Sequence, residues 1–251
     1  VNKLQIFSNY LESNIEVMKK MLLAIVALLA CHTMQAQYFC TTQGTELHYV
    51  NYDEAGQSLS NETVTVYNVV KNASGESAQY LAKIVTNKTK NNTSYTLYNW
   101  NYDGNVTTCQ EDLMYGPYIK SDSDPAKYDS KARQAMTEEL KLKGDNSFTI
   151  KKHASAGESI PDRTYSLISN MLKNEINISG AAYMGEEKVS TTAGKFDCIK
   201  ISYLKRTKIV LKTETVRVTE WYAEGIGLVK SESYNTKGEP DGKTILVKIV
   251  K

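Results

Sequence analysis

Residues 194–204 read Gly-Lys-Phe-Asp-Cys-Ile-Lys-Ile-Ser-Tyr-Leu. Phe196, Cys198 and Lys200 fall on one side of an extended chain, and Asp197, Ile199 and Ile201 on the other. The period is two, which is the period of a strand. Gly194 lets the chain turn sharply into it. The same reading holds downstream for Thr213–Ala223, Gly227–Tyr234 and Thr244–Val250. Gly225 and Gly227 flank Ile226 in a tight turn, and Lys237–Gly242 is the turn before the last strand. Upstream, Asn174–Met184 and Glu187–Thr191 also read as strand. Successive strands with short polar turns predict an antiparallel sheet.

The N-terminal half continues the pattern. Thr45–Tyr52, Glu62–Lys71, Gln79–Thr86, Ser94–Tyr102 and Val106–Cys109 alternate, with turns at Asp53–Gly56, Asn72–Gly75 and Tyr102–Asn105. Asp103-Gly104 suits turn positions that need positive φ. The chain has 17 Tyr but only 4 Phe and 4 Pro, a composition that favours strands when Thr and Val are also abundant. The middle breaks the pattern. Ser123 or Asp124 can cap a helix, Pro125 suits its first turn, and Ala126–Met136 is the one helix expected. Ser147–Lys151 returns to strand. The fold class is therefore mainly β: a strongly curved antiparallel sheet or a partly closed barrel, with one short helix.

Two stretches carry a family resemblance. They are Thr192-Ala193-Gly194-Lys195-Phe196-Asp197-Cys198-Ile199-Lys200-Ile201 and Thr219-Glu220-Trp221-Tyr222-Ala223-Glu224-Gly225-Ile226-Gly227-Leu228-Val229-Lys230. Their Gly-x-Phe-x-Cys and Trp-Tyr-x-x-Gly-x-Gly-Leu-Val patterns resemble the TapB-like family of exported Bacteroidota proteins, a domain of unknown function. The resemblance covers Gly44 to the C-terminus and is strongest from Gly144 on. It implies a curved antiparallel sheet similar in outline to periplasmic lipoprotein carriers, and it implies no reaction. Lys195 departs from the pattern, where a small polar residue is usual, and is expected to face solvent.

The N-terminus carries an address. Met18-Lys19-Lys20 is a basic flank, Met21–Ala30 an apolar core too short to span a bilayer, and Met34-Gln35-Ala36 a cleavage site. The expected organisation is an over-called start at 1–17, a signal peptide at 18–36 and a single exported β-rich domain at 37–251. Cleavage falls between Ala36 and Gln37. A rival signal overlaps it: Leu28-Leu29-Ala30-Cys31 resembles a lipobox, in which Cys31 is lipidated and holds the domain at a membrane face. The periplasm is the first reading of location and a membrane-anchored lipoprotein the alternative. No further apolar run follows, so the mature chain has no transmembrane span.

Removing residues 1–36 lowers the formal charge from +2 to +1, which leaves no bulk electrostatic case for nucleic acid. The mature chain keeps Cys40, Cys109 and Cys198. Export permits a disulfide, and Cys40–Cys109 is the pairing considered, with Cys198 read as a small core residue. No cysteine spacing suits zinc.

No catalytic, cofactor or metal signature stands out. His48 and His153 lie apart, and no local motif supports a nucleophile. Glu220 and Glu224 can be read as paired carboxylates but are expected to be solvent-facing charges. Asp122, Asp124 and Asp129 lack the glycine and terminal glutamate of a calcium loop. Aromatic residues with polar tips can line a concave sheet, and Tyr95, Trp100, Tyr203, Trp221 and Tyr222 are the candidates. The first functional reading is non-enzymatic binding of a lipid or other amphipathic ligand. A structural module that holds an envelope protein partner is the second. A periplasmic hydrolase is the third, and it requires His48 or His153 to meet a carboxylate or thiol in a pocket.

Overall fold

Among the described residues, alternation along the chain becomes fourteen strands in one antiparallel sheet. In chain order they are β1 (Glu46–Asp53), β2 (Ser58–Asn72), β3 (Gly75–Thr86), β4 (Thr93–Tyr102), β5 (Val106–Tyr115), β6 (Lys141–Gly144) and β7 (Ser147–Lys151). Then come β8 (Ser159–Ile160), β9 (Arg163–Ile168), β10 (Lys173–Thr191), β11 (Gly194–Ile209), β12 (Lys212–Ala223), β13 (Gly227–Asn235) and β14 (Pro240–Val250). The structure, a computed structural model, describes residues 37–72, 75–87, 93–115, 141–168, 173–209 and 211–251, and the backbone alone over 111–115. The helix expected at Ala126–Met136 and the signal at 18–36 lie outside the described residues.

The hydrogen-bonded order is β6-β9-β10-β11-β12-β13-β14-β1-β2-β3-β4-β5-β7, with β8 pairing β10 to one side. Nearly every neighbour in that order is also a neighbour in the chain. The exception at the centre is β1 on β14, which joins the first strand to the last. The two ends of the order, β6 and β7, are consecutive in sequence and separated only by Asp145 and Asn146. The sheet therefore curls until its ends meet, yet among the described residues no ladder closes it. The expectation of a curved antiparallel sheet, at most partly closed, agrees with this arrangement.

Side chains cross that seam instead. The Phe148 ring on β7 stacks on Tyr222 of β12 at 5.3 Å, and the Arg163 guanidinium of β9 sits over Phe148 at 5.2 Å. The Lys151 amide donates to the Tyr183 hydroxyl of β10 at 2.8 Å. Gly144 makes the close approach at the end of β6 possible. Its φ is +98°, and a Cβ there would lie 2.4 Å from the Thr164 carbonyl oxygen.

β10 corrects the sequence reading, which broke it at Gly185. The strand runs unbroken, with register shifts between Ser179 and Ala182 and between Tyr183 and Gly185. Gly185 takes a φ of +96° in the second irregularity. A bulge bends a strand without ending its ladder, so the sequence signal resembled a turn.

The core is the inner face of this curl, and the chain fills one end of it with its own N-terminal segment. Phe39 is fully buried and stacks on Trp100 at 5.7 Å with an 18° interplanar angle. The backbone around it is satisfied without a strand partner. The Tyr38 amide donates to Thr107 Oγ1 at 3.1 Å, and the Tyr80 hydroxyl accepts from the Cys40 amide and donates to the Cys40 carbonyl. The Gln37 carbonyl accepts from the Gly225 amide at 2.8 Å. A buried peptide left unpaired is costly, and these contacts make a non-strand segment tolerable in the interior.

Cys40, Cys109 and Cys198 are all buried, and the Cys40–Cys109 bridge is not formed in this structure. Burial, with Asp197 and Glu187 adding to it, pushes the Cys198 thiol up to about 12, where it is unreactive at neutral pH.

Two outcomes follow from this core. Phe39→Ala should lower the unfolding free energy by about 3–5 kcal/mol, read from denaturant midpoints, because the cavity it leaves is enclosed by rings. A chain beginning at Gln37 should show no thiol reactive toward an aromatic disulfide reagent while native and three after unfolding. A single thiol after unfolding would mean that the bridge forms.

Candidate functional site: an aromatic cavity with a buried carboxylate

Beyond Phe39 the inner face is not filled. A cavity of about 400 Å³ remains, with walls drawn from β1, β2, β3, β4, β5, β7, β9, β10, β11, β12, β13 and β14. On β12 the even positions Val218, Glu220 and Tyr222 oppose Tyr203, Ile201 and Ile199 of β11, and Tyr203, Glu220 and Tyr222 line the space. Tyr49, Tyr98 and Trp100 come from the N-terminal strands, and Phe148 and Tyr165 from the two sides of the seam.

Glu220 is the electrostatic centre of this space. It keeps some accessible surface, but that surface faces the cavity, and protein surrounds it. The Tyr222 hydroxyl donates to its Oε2 at 3.0 Å. Burial holds the Glu220 carboxyl above the ordinary carboxylate range, against the opposing pull of hydrogen bonds from Tyr222 and Tyr203 and the charges of Lys205 and Arg163. Burial also raises the Tyr203 and Tyr222 hydroxyls well above their ordinary value, and the Glu220 carboxylate adds to it. The Tyr49 hydroxyl is likewise raised by burial and is spent on the Leu228 carbonyl at 2.8 Å.

Arg163 and Lys205 supply positive charge at the same wall. Arg163 Nε is buried without a protein partner among the described residues. Arg163 lines the cavity, and a guanidinium is a donor suited to a carboxylate or phosphate oxygen. The site thus combines apolar ring faces, phenolic hydroxyls, two cations and two carboxyls, Glu62 beside Tyr49 and the less acidic Glu220.

The structure sorts the residues proposed from sequence. Trp100, Tyr203 and Tyr222 line the cavity. Trp221 lies on the opposite face of β12, between the ammonium groups of Lys200 at 5.0 Å and Lys230 at 4.4 Å. It is nevertheless buried, and Thr192 of the β10–β11 turn donates to the Val247 carbonyl of β14 at 2.8 Å across the same outer surface. Tyr95 packs with Leu81 and Leu97 in a separate small cluster. Glu220 was expected to face solvent and does not. Both faces of β12 are covered, so alternation gave no outer side to assign. Glu224 is exposed in the following turn, and the two carboxylates are not a pair.

His48 does meet a carboxylate, Glu46 at 3.1 Å, but between the cavity-lining positions Leu47 and Tyr49 and on the other face of β1. His153 is exposed. Among the described residues no three of His, Cys, Asp and Glu come together as a metal site. Arg163, Tyr165, Phe148 and Asn146 were missed from sequence. Each lies on a short strand or turn with no motif, and only the curl brings them together.

Residues 42–246 match the model of the DUF3108-like family, and the chain belongs to that family. The matched span contains both stretches that suggested a TapB-like protein; the family found is DUF3108-like. No curated protein matches the chain. A protein of Bacteroides fragilis, described as a putative exported protein with a YmcC-like fold, superposes with a TM-score of 0.64 at 21% identity. The match covers 86% of this chain and 100% of that one. A putative lipoprotein of Parabacteroides distasonis gives a TM-score of 0.63 at 18% identity over 86% of this chain and 99% of that one. These likenesses establish the fold.

The raised Glu220 carboxyl sets a sign for pH dependence. The folded state holds this proton at pH values where the unfolded chain has released it. Stability should therefore fall as pH rises from the ordinary carboxylate range through the raised value of the folded state. Glu220→Gln should flatten that decline and be the more stable form at neutral pH, measured by urea titrations across the range.

Proposed function

We propose that the protein is an exported envelope protein that holds an amphipathic ligand, without chemistry, in the aromatic cavity. The cavity carries the reading. At about 400 Å³ it lies in the range of small-molecule sites, and it joins aromatic walls to a few convergent polar groups. Rings of Tyr49, Tyr98, Phe148 and Tyr222 offer an apolar slot, and Arg163 with Lys205 offers an anion site at its wall. A ligand with an apolar body and a carboxylate or phosphate head matches both. Burial shifts Glu220 toward its neutral form, which lessens its repulsion of such a head.

Export is supported by the signal read at 18–36 and by the descriptions of the two structural neighbours. Cleavage between Ala36 and Gln37 is compatible with the fold, because Gln37–Cys40 are built into the interior and a later cut would remove the plug. Lipidation at Cys31 would leave that plug equally intact.

Native mass spectrometry after gentle purification, followed by solvent extraction, tests the reading. The expected result is a bound mass recovered as an anionic amphiphile. Added dodecanoate should bind, and Arg163→Gln should weaken it at least tenfold at a temperature where its unfolding curve shows the variant fully folded. A protein that carries no bound mass and takes up no dodecanoate, or one indifferent to Arg163→Gln, would count against it.

A further inference from the structure

We propose that the tip of the β11–β12 hairpin docks the protein on an anionic lipid surface. β11 and β12 continue past their neighbour on one side. The ladder with β13 begins at Val216 paired with Asn235, so Lys212–Thr215 have no partner there. Four residues at strand rise carry the tip roughly 13 Å beyond that edge.

The tip reads Arg206-Thr207-Lys208-Ile209-Val210-Leu211-Lys212, and Leu204 lies just behind it, opposite Arg217. Leu211 is 96% exposed, Ile209 44% and Leu204 37%. Single exposed apolar residues are ordinary, but three of the five large exposed apolar side chains on the described surface stand on this one hairpin. Around them Lys173, Arg206, Lys208, Lys212 and Arg217 are all exposed. Two carboxylates face them. Glu175 pairs with Lys173 at 3.0 Å and Glu214 approaches Lys212 at 3.8 Å, both in exposed positions where such pairs hold little. The whole chain carries a formal charge of only +2, so this concentration is local.

Fold stability does not ask for this arrangement. Leu211 is almost wholly in water, and folding gains nothing from an apolar side chain there. An apolar apex ringed by cations is what a negatively charged membrane surface receives: the cations meet phosphate head groups and the apex enters the interface. The tip also lies at the far end of β12 from the turn whose Gly225 amide holds the Gln37 carbonyl. The plug residues Gln37–Cys40 therefore do not cover it. The docking surface is separate from whatever the cavity holds.

Vesicle co-sedimentation tests this. Every measurement uses the chain beginning at Gln37, so that neither an acyl anchor nor the apolar core of the signal contributes. The protein should sediment with vesicles of phosphatidylcholine and phosphatidylglycerol and stay in solution with phosphatidylcholine alone. Leu211→Asp should reduce the bound fraction at least tenfold. Lys208→Glu with Lys212→Glu should do the same, at about fivefold per charge removed. Both sites are exposed, so unfolding midpoints should not move. Equal binding to neutral vesicles, no binding to either, or variants that bind like the parent would overturn the proposal. Arg163→Gln should leave sedimentation unchanged; its loss would assign the effect to the cavity instead. Crosslinks from Leu211→Cys to one protein, without vesicle binding, would make the tip a protein contact.

Discussion

The stack of Phe39 on Trp100 ties together two things that the chain must solve at once. A sheet of fourteen strands has an inner face that must leave water, and it does so by curling until β6 and β7 meet. A curl of that size leaves an interior wider than the side chains of its own wall can fill. The segment Gln37–Cys40 enters at one end, where Phe39 stacks on Trp100, which in turn meets the Tyr80 ring. The remainder is the cavity. Trp100 belongs to both, because one part of it meets the plug and another lines the open space. The size of the cavity is thus set by how far the N-terminal segment reaches.

The same curl explains why a carboxylate is found inside. β12 lies in the middle of the curved wall and is covered on both faces. Trp221 is enclosed outside, and Glu220 and Tyr222 are enclosed inside. A buried carboxyl is costly when charged. Here two phenols, Lys205 and Arg163 share the cost, and the residue of it appears as a carboxyl that holds its proton more tightly than usual. Those groups come from β9, β11 and β12, so the polar centre exists only when the seam side of the sheet is in place. The cations at that wall and the phenols beside them are what distinguish this interior from an ordinary apolar core.

Much of the fold was legible in the sequence because a strand declares itself locally. The alternation in Lys195–Leu204 and Thr213–Ala223, and the turns at Asp103-Gly104 and Gly225–Gly227, all correspond to observed strands and hairpins. Chain neighbours are sheet neighbours through most of the order, so little long-range information was needed. The short strands β6, β8 and β9 escaped, since two to six residues do not establish a period. β10 was broken in two because its bulge glycine looks like a turn glycine.

Sequence alone determined the class of fold, the run of hairpins and the residue types available to a site, because each depends on periods of two and on turn chemistry within a few residues. Three aromatic residues named from sequence, Trp100, Tyr203 and Tyr222, do line the cavity, while Trp221 and Tyr95 lie elsewhere. Only tertiary structure decided which was which. A strand buried on both faces offers no polar side to mark its exterior, so alternation cannot say whether Glu220 or Trp221 points inward. The β1–β14 pairing, the seam at Asp145-Asn146 and the entry of Phe39 into the core were equally invisible, because each joins residues far apart in the chain.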